Sequence, residues 1–257
     1  MRPLRLPGFR DRGNDLSGQP AVLDVVVPGS LVGDQPEEWS ERHGIAACAG
    51  VKSYKTAWTL LHKLRRAMVR RGRDRLHGRV EVDEALVGGE EEGVHGRQTE
   101  AKAMIAIAAE EDGPGIGRIR MWRICDASAE NLMPFVDDFI EPGSVVHTDG
   151  WLGYLPLEAK GYKHKVTFLK GNSKTASELM PRVHLAVALL KRWLLGTHQR
   201  GVSLKHLDAY LDEFTFRFRR RKSRSRGKLF YRLLEQAVAV EPVPYSSLVK
   251  CSAEPEF

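Results

Sequence analysis

Cysteine is scarce. The 257 residues hold three, Cys48, Cys125 and Cys251, far apart and odd in number. They form neither a zinc-knuckle spacing nor a disulfide framework, and they fit a reducing intracellular compartment. Long apolar runs are also missing, since no stretch approaches the roughly 18 uncharged apolar residues of a membrane helix. The N-terminal MRPLRLPGFRDRGND is basic but lacks the continuous apolar core of a signal peptide. There are no internal repeats. With 42% apolar and 28% charged residues, the chain has the composition of one large domain or two small ones with a buried core.

Acid is absent where base is dense. The net charge is +7, but its distribution says more than its total. Residues 52–79 carry ten Lys/Arg against the single acid Asp74, and residues 215–232 carry nine Lys/Arg with no acid. The remainder is net acidic, so two basic segments are attached to an acidic middle. Segregated positive charge suits a polyanion partner, because each neutralised phosphate releases counterions. Two solvated surfaces would give the same pattern.

The order of elements follows from periodicity. Residues 1–44, rich in Gly, Pro, Asp and Glu, read as a poorly structured leader with one β-like run, VLDVVVPG (22–29). From Ser53, an N-cap candidate, Ala57, Leu60, Leu61, Leu64 and Met68 recur at helical spacing, with the first basic segment on the polar face. RVEVDEALVGG (79–89), AKAMIAIAAEE (101–111) and GRIRMWRICDAS (117–128) read as strands of an antiparallel meander, the last two separated by the turn EDGPGIG. A helix is expected over 129–140 despite Pro134, then strands SVVHTDG (144–150) and KHKVTFL (163–169). Helices follow over about 181–195, with Pro181 in the first turn and Gly196 closing it, and over 202–218 and 227–240. Hairpin-linked strands followed by alternating helices and strands give an α/β fold with a mixed sheet flanked by helices, the order of a ribonuclease-H-like core.

Two acids stand out on this frame. Alternation puts Asp83 on the face opposite Val82, together with Glu81 and Ala85, and turns Glu84 the other way. Asp149 closes the apolar strand Val145-Val146-His147-Thr148, and a strand end opens into a crevice where carboxylates do metal or catalytic work. The residues alone leave a plainer alternative open: Asp-Gly after a strand is an ordinary turn, and Asp83 can face solvent. The stripe Tyr210, Phe214, Phe218 reads as core rather than as a base-stacking platform.

The ordered motifs VEVDE with its Gly pair, HTDGWLGY, LKRWLLGTH and YLDEFTFRFRRR resemble bacterial insertion-sequence transposases of the DDE superfamily, the ISXO-two-like branch. The likeness runs from about Gly44 to Val240. It implies that Asp83 and Asp149 are the first two catalytic acids. The third position, which varies among Glu, Asn and His in the family, matches His184, followed seven residues later by Lys191. It implies two divalent ions, Mg²⁺ or Mn²⁺, held by Asp83, Asp149 and His184 for in-line phosphoryl transfer. Imidazole is a softer donor than carboxylate, so His184 is either a ligand that favours Mn²⁺ or a proton carrier. Glu178 is a rival third acid. Lys191 and Arg192 are expected to clamp phosphates near the scissile bond. Lys63, Arg65 and Arg66 in the first basic segment, and Arg217, Arg220 and Arg221 in the second, are candidates for DNA backbone contacts.

The resemblance further implies double-stranded DNA as partner, both terminal inverted repeats and target, a homo-multimer on paired ends, and a cytoplasmic, nucleoid-associated protein with no membrane role. The expected division is a leader (1–44), a basic helical DNA-binding segment (45–78), the catalytic core (79–200), a basic helical part (201–240) and a tail (241–257). Relatives usually carry an N-terminal zinc ribbon, whereas residues 1–43 hold no cysteine. Arg219 stands where relatives commonly have Asn, and VDEALVGG replaces an aromatic-containing VDETYVGG. A truncated or frameshifted element copy with a substitute leader is the expectation. Its function is then DNA strand cleavage and strand transfer. The alternatives are an inactive DNA-binding remnant and a nuclease on the same scaffold.

Overall fold

The computed structural model describes residues 53–69, 72–88, 102–168, 175–198 and 204–249. The expected leader and its β-like run at 22–29 lie outside the described residues, as do residues 45–52 and 250–257. Helix α1 spans Tyr54–Met68, and strands β1 (Arg79–Gly88), β2 (Lys102–Asp112) and β3 (Gly115–Ile124) follow. Then come α2 (Ala129–Phe139), β4 (Val145–Thr148), a 3-10 turn (Leu152–Leu157) and β5 (Lys163–Val166). The chain continues through α3 (Ala176–Leu179), α4 (Pro181–His198), a 3-10 turn (Leu204–His206), α5 (Leu207–Arg219), α6 (Arg226–Ala239) and α7 (Tyr245–Val249).

The strands form one mixed sheet of order β3-β2-β1-β4-β5. β1, β2 and β3 pair antiparallel, as the short connection between β2 and β3 requires, while β4 adds parallel to β1 and β5 parallel to β4. The result is the expected mixed sheet flanked by helices, compatible with the ribonuclease-H-like arrangement.

Each face of the sheet is covered. On one side Val80, Val82, Ala106 and Ala108 pack with Leu132, Phe135 and Val136 of α2 and with Tyr154 and Leu157. On the other, Ile105, Ile107, Ile119 and Met121 pack with Val183, Ala186 and Leu190 of α4 and Leu207, Leu211, Phe214 and Phe218 of α5. Burial on both faces explains why β2 reads as a nearly unbroken apolar run rather than an alternation. A smaller cluster, Ala67, Met68, Phe216 and Leu233, ties α1 to α5 and α6. The aromatic stripe of α5 is core, as its spacing predicts.

Several local expectations change. Gly196 does not close α4, which runs on to His198; an isolated Gly costs a helix only about 1 kcal/mol. Leu60 is not on the buried side of α1, where it is 42% exposed, and His62, Arg65 and Ala67 are buried there instead. Ser53 sits at the N-cap without a side-chain capping bond. The 3-10 turn after β4 and helix α7 lie in stretches read only as loop and tail. Among the described residues, no helix is long and apolar enough to cross a membrane.

Candidate active site

Asp83 lies in the middle of β1, and strand alternation turns it with Glu81 and Ala85 toward α4. Glu84 turns to the opposite face. The parallel register pairs Glu81 with His147. Continued two residues beyond this pair, one past the end of β4, that register sets Asp149 level with Asp83 on the neighbouring strand. Across from them stands His184 on α4, with its Nε2 3.8 Å from Oδ2 of Asp83. This Nε2 is buried without a hydrogen-bond partner among the described residues. Burial pulls the His184 imidazole below its usual range, against the opposing fields of Glu81 and Asp149. A neutral imidazole with an uncommitted buried nitrogen facing a carboxylate is the protonation state that ligates metal.

What fixes α4 in this place is Glu81. Its buried carboxylate accepts the backbone N–H groups of Arg182 (2.8 Å) and Val183 (3.0 Å) and the Arg182 Nη1 (3.0 Å). Pro181 starts the helix, so the next two N–H groups have no intrahelical partner, and an anion there also meets the positive end of the helix dipole. Arg182 extends the anchor to the β2–β3 turn through Glu111 (2.8 Å) and the carbonyls of Gly113 (2.9 Å) and Gly115 (3.1 Å). His184 follows Val183 directly, so the clamp sets its distance from Asp83. One sequence signal pointed to this role, a second acid on the same strand face as Asp83.

Asp149 is held by the turn that follows it. Its Oδ1 accepts the Trp151 N–H at 3.0 Å, and Gly150 takes a positive φ of 85°. A Cβ on Gly150 would stand 2.7 Å from Val166 Cγ1 and 2.9 Å from Phe168 Cε1, so only glycine fits. At Gly153 a Cβ would meet the Ala127 carbonyl at 2.6 Å, and that same carbonyl accepts the Trp151 indole N–H at 2.7 Å. Tyr154 is wholly buried. Burial and the neighbouring carboxylates of Glu84, Asp83 and Asp149 push its hydroxyl well above the ordinary range. The DGWLGY motif is thus a packed turn that presents Asp149 and reaches Glu84 from the other side of the sheet.

The donor set, two carboxylates and one imidazole, suits a divalent cation of intermediate hardness. Among the described residues, no three His, Cys, Asp or Glu side chains gather closely enough to hold an ion. Asp83 and His184 are therefore the gathered pair, with Asp149 beside them. Glu178 is exposed and caps its own short helix, accepting the Thr175 N–H (2.7 Å) and hydroxyl (3.0 Å).

The proposed DNA contacts fall into two groups. Lys191 and Arg192 are exposed on α4, as are Lys63 and Arg66 on α1. Arg65 is buried and bonds Glu213 of α5 at 2.6 Å, and Arg217 bonds the same carboxylate. Burial pushes Glu213 up, but the two guanidiniums outweigh it and hold the carboxyl below its ordinary range. Arg220 stacks on Phe216 at 3.6 Å, and Arg221 stacks on Phe218 at 3.9 Å while donating to the Ile116, Gly117 and Phe218 carbonyls. Arg65 thus ties α1 to α5, Arg217 shares its carboxylate partner within α5, and Arg221 ties the end of α5 to β3.

A comparison with curated proteins returned no match. The comparison with protein families did: residues 75–219 match the ISXO2-like transposase domain. That span is more than half of the chain, begins just before β1, ends with α5 and contains Asp83, Asp149 and His184. The protein belongs to the ISXO2-like family of insertion-sequence transposases of the DDE type.

Proposed function

We propose that this chain is a transposase with a ribonuclease-H-like core that cuts DNA at insertion-sequence ends and joins the freed strand to target DNA. The observation that carries the reading is the meeting of Asp83, on the central strand, with His184, on the helix that Glu81 clamps to the same strand. Asp83, Asp149 and His184 would hold divalent metal, Mg²⁺ or Mn²⁺, whose chemistry here is activation of an attacking oxygen and neutralisation of the leaving one. Asp83 and Asp149 bring the negative charge that draws such cations to the site. Lys191, nearly two helical turns beyond His184, and Arg192 hold phosphates of the scissile strand. Lys63 and Arg66 contact the backbone further out and fix register without reading sequence. Paired ends are taken up by a multimer of the chain.

The test is strand cleavage and strand transfer by the full chain, on duplexes carrying the terminal repeats that flank its gene, with Mg²⁺ or Mn²⁺. Nicking and joining are expected, and Asp149→Ala should abolish both. Unchanged activity in Asp149→Ala overturns the reading. Cleavage of RNA–DNA hybrids without joining would assign a nuclease instead, and binding without cleavage an inactive remnant.

A further inference from the structure

The two basic segments, far apart in sequence, meet in one place. Arg73 from the first and Arg219, Arg220 and Arg232 from the second line a cleft of about 760 Å³, together with Arg120 of β3. The cleft lies between α1, α5 and α6, at the edge strand β3. Two strand spacings, about 10 Å, separate β3 from β1 and Asp83, and none of Asp83, Asp149 and His184 lines it.

Its floor is chemically incomplete. Arg120 is 2% exposed, yet among the described residues its guanidinium bonds only neutral oxygens, the carbonyls of Ile119 (2.9 Å) and Asp74 (2.7 Å). Its Nε–H is buried with no partner among the described residues, and so is Oε1 of Gln236 on the cleft wall. The carboxylate nearest in the sheet, Glu110, is committed to Arg118 through two bonds. Burial, followed by the charges of Arg73, Arg118 and Arg219, pulls Arg120 down to about 10, so it remains a cation at neutral pH. A buried cation without a counter-ion is costly. Above it, Arg219 and Arg232 make no ion pair among the described residues. Glu235 is the one acid among the lining residues. Five guanidiniums facing one carboxylate form a socket for an anion with several acceptor oxygens, and planar bidentate donors match phosphate.

We propose that this cleft seats backbone phosphates of DNA, as a grip separate from the carboxylate site. The proposal rests on the reading that the chain acts on DNA. It assigns the two basic segments one joint site in place of two independent surfaces. A nucleotide-sized volume fits a stretch of backbone better than a single ion.

The test is fluorescence anisotropy of a labelled duplex of arbitrary sequence titrated with the full chain across a salt series. Arg219→Ala/Arg232→Ala removes two exposed cations, so folding is preserved and is checked by the urea midpoint. Affinity should fall about tenfold or more near 0.1 M salt, and the slope of log K against log salt should shrink by about 1.8, or 0.9 per lost phosphate contact. Lys160→Ala/Lys163→Ala removes equal charge at the opposite, β5 edge and should change affinity less than about twofold. Unchanged affinity and slope in the arginine variant, or equal losses in both variants, overturns the proposal. Inorganic pyrophosphate is titrated in parallel by thermal shift. Stabilisation that depends on Arg219 and Arg232 while DNA affinity does not move would assign a free phosphate ligand and overturn the DNA assignment. Failure of the catalytic reading looks different: DNA binding would keep its arginine dependence, but the parent would never cut.

Discussion

Replacing Glu81 with Gln changes one atom and leaves the shape of the side chain intact, so it isolates the clamp on α4. In the native protein one carboxylate oxygen takes the N–H groups of Arg182 and Val183, and the other takes Arg182 Nη1. A Gln carbonyl can still serve the two helix N–H groups, but its NH2 then faces the guanidinium, donor against donor. One charge-assisted bond is lost, worth about 1.5–3 kcal/mol, and the favourable anion at the helix N-terminus adds about 0.3–1 kcal/mol. The expected loss is about 2–4 kcal/mol, a large share of the roughly 5–15 kcal/mol that holds a domain folded. Glu81→Ala, which also leaves the N–H groups of Arg182 and Val183 without an acceptor, should cost about 3–5 kcal/mol. Because His184 follows the clamped residues directly, the 3.8 Å spacing to Asp83 should loosen. A displacement near 1 Å costs a reacting site on the order of 10²-fold. Urea denaturation gives the first number and strand transfer by the same preparation gives the second. A Glu81→Gln protein within about 0.5 kcal/mol of the parent, the scatter of an ordinary surface substitution, and equally active would refute the clamp.

Three further outcomes follow from the same structure. Gly150→Ala forces a side chain into a positive-φ position and against Val166 and Phe168; it should destabilise by about 1–3 kcal/mol in urea melts and depress activity through Asp149. Glu213→Ala leaves Arg65 and Arg217 facing each other across a buried gap and should cost about 3–5 kcal/mol, read from the shift in denaturation midpoint. Stability should also fall on acidification in two stages. Burial, then the charges of Arg65 and His206, lowers His62 from 6.5 to about 3. Burial pushes Glu110 up, but hydrogen bonds from Arg118 and the His77 N–H outweigh it and bring the carboxyl from 4.5 to about 2. Both groups bind fewer protons folded than unfolded, so their contribution is complete above about pH 6.5. It declines first as the unfolded His62 takes its proton, then more steeply below about pH 4.5. A urea midpoint that is flat from pH 7 to 4 would contradict this.

Much of the site was legible in the sequence because strand alternation is a local rule. It placed Asp83 with Glu81 and opposite Glu84, and the apolar run ending at Asp149 marked the strand that joins β1. The pairing of β2 with β3 was readable for a similar reason, since strands joined by a tight turn pair with each other. What was not legible depends on contacts between distant segments. Glu81 caps a helix that begins 100 residues later, and Arg65 meets Glu213 across 148 positions. Arg65 and Arg217 carry the charge expected of DNA contacts, but Arg65 is buried and both bond Glu213, a partner that charge counting cannot show. The burial of Arg120 likewise depends on distant segments, since the helices folded over the β3 edge make it the floor of a cleft.

We propose that Asp83, Asp149 and His184 close around divalent metal when it binds. The most direct test is Mn²⁺ binding to the full chain in the absence of DNA, followed by electron paramagnetic resonance of the free ion and by calorimetry. Asp83→Asn and Asp149→Asn should each abolish binding, His184→Gln should weaken it, and Glu178→Gln should leave it unchanged. Mn²⁺ binding that survives Asp83→Asn and Asp149→Asn together would contradict the proposal.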